Sequence, residues 1–200
     1  MKFFAYSNRA TQRQSELVIE VLRIAEVDTL PGLIVIDREQ QDLTQSLIGG
    51  QYDFGLYRRP GEQLPRGQVP DHIWNLINNA PDDHLIWLAA RIVEQEDIHF
   101  TWIVAHECGH VRQVACSQSF VKLARIKQRL RQNTEFTQLP PTCMENIEID
   151  SDLLAMQITE NIFGKEKLHE FFDRHGIARC PFPSYPEFLR NLSDALAESV

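Results

Sequence analysis

Apolar positions along the chain recur with two different periods, and the changes between them divide it into elements. Over residues 11–27, Leu17, Val21, Ile24 and Ala25 recur at the spacing of one helix face, which predicts a helix. Pro31-Gly32 breaks it, and Leu33-Ile34-Val35-Ile36 reads as a short buried strand. Gly49-Gly50 separates Leu47-Ile48 from the alternating stretch Tyr52–Tyr57, which predicts a hairpin. Three prolines and two glycines mark residues 60–70 as a loop. Pro70-Asp71 opens a short helix through Ile77, and the apolar run His84–Val93 reads as a strand.

From about residue 99 the pattern turns helical. Glu96 and Asp97 stand where acidic side chains favour a helix N-terminus, ahead of a helix over about 99–115. A second helix, or a bent continuation of the same one, is expected over about 117–132, and a third over 143–163, closed by Gly164. Shorter ones follow near 165–175, ended by Gly176, and near 186–198. Strands first and helices after argue for an α+β fold, a small N-terminal mixed sheet packed on a mainly helical body. With no convincing boundary, residues 1–200 are expected to form a single domain.

Composition narrows the function. A hydrophobic content of 43% can build a sizeable core. A formal net charge of −8 makes nucleic acid an unexpected partner, because phosphate contacts need Lys and Arg. The basic run Lys122, Arg125, Lys127, Arg129 and Arg131 reads as a solvated helix face. Spanning a membrane takes about 20 mainly apolar residues, and Leu85–Ala90 and Thr101–Ala105 are far shorter. The apolar run Phe3–Tyr6 is too short for an export signal, so the expected location is the cytoplasm. There Cys108, Cys116, Cys143 and Cys180, which form no C-x-x-C pair, are expected as reduced thiols.

The chemistry gathers at His106-Glu107-Cys108-Gly109-His110. Two histidines at i and i+4 share one helix face, and two neutral imidazoles so placed can bind one Zn²⁺. Glu107 then stands beside the ion, where a carboxylate can act as general base toward water activated by the metal. A catalytic zinc commonly takes a third protein ligand and leaves one position open. Two candidates come forward. Glu148 and Asp152 share a helix face at i and i+4, so Glu148 could ligate while Asp152 accepts the free N–H of a ligating imidazole. Cys116 lies where the metzincin pattern places its third ligand, but that pattern needs a Gly to turn the chain, and position 113 is Gln. On a continuing helix Cys116 falls about 240° around from His110.

His106-Glu107-Cys108-Gly109-His110 followed by Glu148-Ile149-Asp150-Ser151-Asp152 resembles the gluzincin zinc metallopeptidases, whose pattern is H-E-x-x-H with a downstream E-x-x-x-D on a second helix. The approach His84–Ala105 also looks like the small ImmA/IrrE-like or HtpX-like members. The resemblance implies a zincin-like fold with one zinc held by His106, His110 and Glu148. It implies Glu107 as catalytic base and Asp152 as the outer partner of a ligand. It further implies that Leu85–Ile92 is an edge strand that takes an extended protein or peptide substrate by strand addition. Residues 1–80 lie outside the likeness. Tyr185, His169 and His175 are possible oxyanion partners, each with a plainer surface reading. Two other functions fit the same motif: a zinc-binding regulatory module without hydrolysis, and a zinc hydrolase acting on a non-peptide amide.

Overall fold

The computed structural model describes residues 1–5, 10–37, 55–63, 71–116 and 143–175. Among these residues the sheet has four strands: β1 (Lys2–Ala5), β2 (Gly32–Ile36), β3 (Gly55–Arg58) and β4 (His84–Leu88), in the order β1-β2-β4-β3. β1, β2 and β4 run parallel, and β3 pairs antiparallel with β4. The sheet is therefore mixed, as the sequence predicts. Helices also precede strands, at the two places where the pattern predicts them. Parallel neighbours need a crossover, and α1 (Gln12–Ile24) supplies the one between β1 and β2. A second helix, α2 (Asp71–Asn79), precedes β4. The architecture is α+β and mostly helical.

Local chemistry explains the helix ends. Thr11 caps α1: its hydroxyl accepts from the Gln14 backbone N–H at 3.0 Å, and the Gln14 side chain accepts from the Thr11 N–H at 2.9 Å. The Gln14 amide also donates to the Val93 carbonyl at 3.1 Å, tying this end of α1 to the segment after β4. Alternation along the strands sends Ile34, Ile36, Ile86 and Leu88 to one face of the sheet and Val35, Leu85 and Trp87 to the other. The first face meets α1, α3 (Asp97–Cys116) and α4 (Cys143–Phe163), and the second packs on Ile73 and Ile77 of α2.

The strand expected over His84–Val93 ends at Leu88, and Ala90–Glu94 is a 3₁₀ turn that sends Ile92 into the core. A continuous apolar run carries no period, so it does not distinguish a buried strand from a strand followed by a buried turn. β4 is also an inner strand, held between β2 and β3, so Leu85–Ile92 is not an edge strand. Among the described residues the edges are β1 and β3. Of the expected hairpin, only Gly55–Tyr57 falls among the described residues, and it pairs with β4. The rest of that hairpin, the 117–132 helix and the 186–198 helix lie outside them.

α3 begins two residues earlier than its pattern suggests and runs through Cys116. It buries Phe100, Thr101, Val104, Ala105, Cys108 and Val111, so it passes through the core and not along the surface. α4 ends at Gly164, whose φ of 86° is the left-handed cap conformation; its N–H bonds the Glu160 carbonyl at 2.8 Å. α5 (Lys165–His175) then returns Leu168, Phe171 and Phe172 to Ile98 of α3. No helix among the described residues is long and apolar enough to cross a membrane.

Thr11→Ala removes one half of a reciprocal cap at the start of α1. Chemical denaturation should show a loss of about 1 kcal/mol, with the far-ultraviolet circular dichroism of the folded protein unchanged.

Candidate metal centre

α3 and α4 touch closely at one point. A β-carbon at Gly109 would lie 2.8 Å from both Cα and Oγ of Ser151, so the absent side chain is what lets the two helices approach. One turn around from this contact, α3 presents His106 and His110, and α4 presents Glu148 and Asp152.

His106 Nε2 lies 3.1 Å from Glu148 Oε2, His110 Nε2 lies 3.5 Å from the same oxygen, and the two Nε2 atoms are 3.2 Å apart. Among the described residues these three form the one group able to hold a metal ion. Ligands held tetrahedrally at about 2.0–2.1 Å stand about 3.3 Å from one another, so the triangle has the size that a small divalent ion requires.

The outer contacts fix which ring atoms face that triangle. His106 Nδ1 is 2.8 Å from Asp152 Oδ1, and an ionised carboxylate only accepts, so Nδ1 carries the proton. The side-chain amide of Gln113 donates to Asp150 Oδ2 at 2.8 Å, which turns its oxygen toward His110 Nδ1 at 3.2 Å. Ser151 Oγ stands 3.1 Å from the same nitrogen. Both Nδ1 atoms are therefore donors, and both neutral imidazoles offer bare Nε2 lone pairs beside a carboxylate oxygen. Three acceptors converge with no donor between them, an arrangement suited to a cation: protons on the rings, or a metal.

The electrostatics follow. Burial works to lower the His106 pKa, but hydrogen bonds to Asp152 and Glu148 outweigh it and raise the value to about 10. His110 moves up in the same way, with burial opposed by the hydrogen bond to Glu148 and the charge of Glu107. Burial works to raise Glu148, and the hydrogen bonds from both histidines overcome it and hold the carboxyl well below its usual range. The Glu148 side chain is 47% exposed while the imidazoles are 20% and 15% exposed, so the site opens on the carboxylate side.

Glu107 is buried against the sheet at Gly55 of β3. Two positions further along, the Tyr57 ring stacks on His110 with centroids 6.2 Å apart and on His84 with centroids 5.9 Å apart. Its hydroxyl is hydrogen-bonded to His84 Nδ1 at 2.7 Å. Burial, chiefly, keeps the Tyr57 proton in place and lowers the pKa of His84. Buried Arg58 donates to the carbonyls of Glu62, Pro81 and Asp83 at 2.8–2.9 Å and anchors the end of β3.

The structure thus brings together His106, Glu107, His110, Glu148 and Asp152. α3 runs unbroken to Cys116, so the chain does not turn back after His110 as the metzincin arrangement requires. Cys108 is fully buried, and burial, above all, raises its thiol pKa. His175 bonds Glu96 at 3.1 Å, and Tyr185 lies outside the described residues. Gln113, Ser151, Tyr57 and His84 escaped the sequence reading. Only Gln113, three residues after His110 on the same helix, had a local spacing that could have revealed it. No protein-family model, curated protein or solved structure matches the chain.

Asp152→Asn should keep the fold and weaken zinc binding by about 10–100-fold, read by competition with a chelating dye. The His106 pKa predicts a pH dependence as well. Below about 10 the metal-free ring is protonated, so zinc binding must release that proton. Apparent zinc affinity, corrected for the chelator's own protonation, should rise roughly tenfold per pH unit for each proton displaced as the pH climbs from 6 toward 9.

Proposed function

We propose that the protein is a zinc-dependent metallopeptidase of gluzincin type with a zincin-like arrangement, working in the cytoplasm on a protein or peptide substrate. The observation that carries this reading is the convergence of His106 Nε2, His110 Nε2 and Glu148 Oε2 within 3.1–3.5 Å of one another, with both Nδ1 atoms turned outward to fixed partners. His106, His110 and Glu148 would hold the ion, and Asp152 orients His106. A structural zinc closes its shell with a fourth protein ligand, whereas three ligands and an open side match a catalytic one.

When bound, zinc supplies Lewis acidity toward a carbonyl oxygen and acidifies water. The chain's own part falls first to Glu107, next to His106 in sequence. Its carboxylate takes a proton from the attacking water and returns it to the leaving amine, so that the peptide bond is exchanged for a new acid and a new amine. Its burial against β3 keeps bulk water from competing for that proton. Among the described residues β3, and not β4, is the sheet edge nearest the site, and it is the strand that would receive an extended substrate.

Glu107→Gln and Glu148→Ala separate metal from chemistry. Purified wild-type chain should carry one zinc; Glu107→Gln should keep it and lose turnover of a general substrate such as casein by several orders of magnitude. Glu148→Ala should lose zinc. Elemental analysis and a fluorescence cleavage assay read both. Full cleavage by Glu107→Gln would end the mechanism, and a zinc-loaded wild type that cleaves nothing would favour a regulatory zinc module.

A further inference from the structure

β3 crosses the candidate centre with Gly55 and Tyr57 on the side of α3. A β-carbon built at Gly55 would lie 2.7 Å from Glu107 Oε1, 2.9 Å from its Cγ and 3.0 Å from its Cδ. Conformation does not demand glycine here. Gly55 pairs with Leu88 in ordinary antiparallel register, and the described glycines with positive φ are Gly61 and Gly164. Space demands it.

What the β-carbon would strike decides the consequence. At Gly32 the nearest obstacle is the His84 carbonyl oxygen, 2.7 Å away, so an added methyl there would push two strands apart. At Gly55 the obstacles are the outer atoms of one flexible side chain. A methyl at 55 therefore displaces the Glu107 side chain and not a neighbouring strand. His106, His110 and Glu148 contribute none of the three nearest atoms, so the metal ligands need not move.

We propose that Gly55 is a positioning residue for Glu107: its missing side chain is the space in which the carboxylate stands, and β3 thereby sets the direction in which that carboxylate faces. The proposal rests on the hydrolytic reading of the site. It makes β3 more than a wall, since the same backbone that lines the substrate path would hold the proton acceptor in register with it.

The test compares full-length, zinc-loaded wild type, Gly55→Ala, Glu107→Gln and the double variant. Gly55→Ala should keep one zinc per chain and the wild-type thermal midpoint. Its turnover of quenched-fluorescent casein should fall about 100-fold, in kcat and not in KM, and Gly55→Ala should add nothing in the Glu107→Gln background. Acetohydroxamate, a zinc chelator that also hydrogen-bonds to an adjacent carboxylate, should bind Gly55→Ala as weakly as it binds Glu107→Gln. Wild-type turnover in Gly55→Ala, loss of its zinc, or acetohydroxamate binding as tight as in wild type would overturn the proposal. A wild type that does not cleave casein counts against the hydrolytic reading instead, and the acetohydroxamate comparison still decides the role of Gly55.

Discussion

The close approach of α3 and α4 at Gly109 and Ser151 is the constraint on which the candidate centre depends. With 2.8 Å between a would-be β-carbon and the Ser151 backbone, the two helices come nearer than a side chain at position 109 would allow. That nearness lets Glu148 reach both imidazoles and Asp152 reach the far side of His106. Ser151 serves twice, as the surface that Gly109 meets and as a partner of His110 Nδ1. Packing and ligand geometry are thus one arrangement. A helix pair held a methyl apart would still fold around its apolar residues but would leave two histidines without their carboxylate.

The sheet contributes from the other side. α3 is buried over much of its surface, and the stripe that carries His106, Glu107 and His110 has the sheet for a wall. β3 supplies it with the Gly55 backbone against Glu107 and the Tyr57 ring against His110. Arg58, bonded to three carbonyls of the neighbouring turns, keeps that wall from sliding.

Much of this was legible in the sequence because it is local. The i and i+4 spacing of His106 and His110, the same spacing of Glu148 and Asp152, and Gly164 at a helix end are patterns that a helix imposes on its own residues. What was not legible depends on pairing between distant segments. Tyr57 meets His84 across 27 positions, and Ser151 meets Gln113 across 38. The rank of β4 within the sheet, which the resemblance implies to be an edge, is hidden for the same reason. An apolar run says that a strand is buried, while the identity of its neighbours is set by β2 and β3, which lie 52 and 29 positions before it in the register (Gly32 with His84, Tyr57 with Ile86). The 3₁₀ turn after Leu88 was hidden because apolar residues fill both the strand and the turn.

The charges around the two rings bear on which cation the site prefers. Glu107, Glu148 and Asp152 place three carboxylates on or beside the imidazoles. Two ring protons or one divalent ion would leave the same net charge, so the field that raises both histidine pKa values is also a field that favours a dication. The protons, however, would leave two like-charged rings with their Nε2 atoms 3.2 Å apart. A single divalent ion between them would satisfy both lone pairs and the Glu148 oxygen at once. The outer partners are unequal in a useful way: His106 leans on a full carboxylate, while His110 leans on an amide and a hydroxyl. The more strongly polarised ring is therefore the one next to Glu107 in sequence. With zinc bound, His106 would donate more charge to the ion and His110 less, which would leave the ion more of its Lewis acidity than two carboxylate-backed rings would.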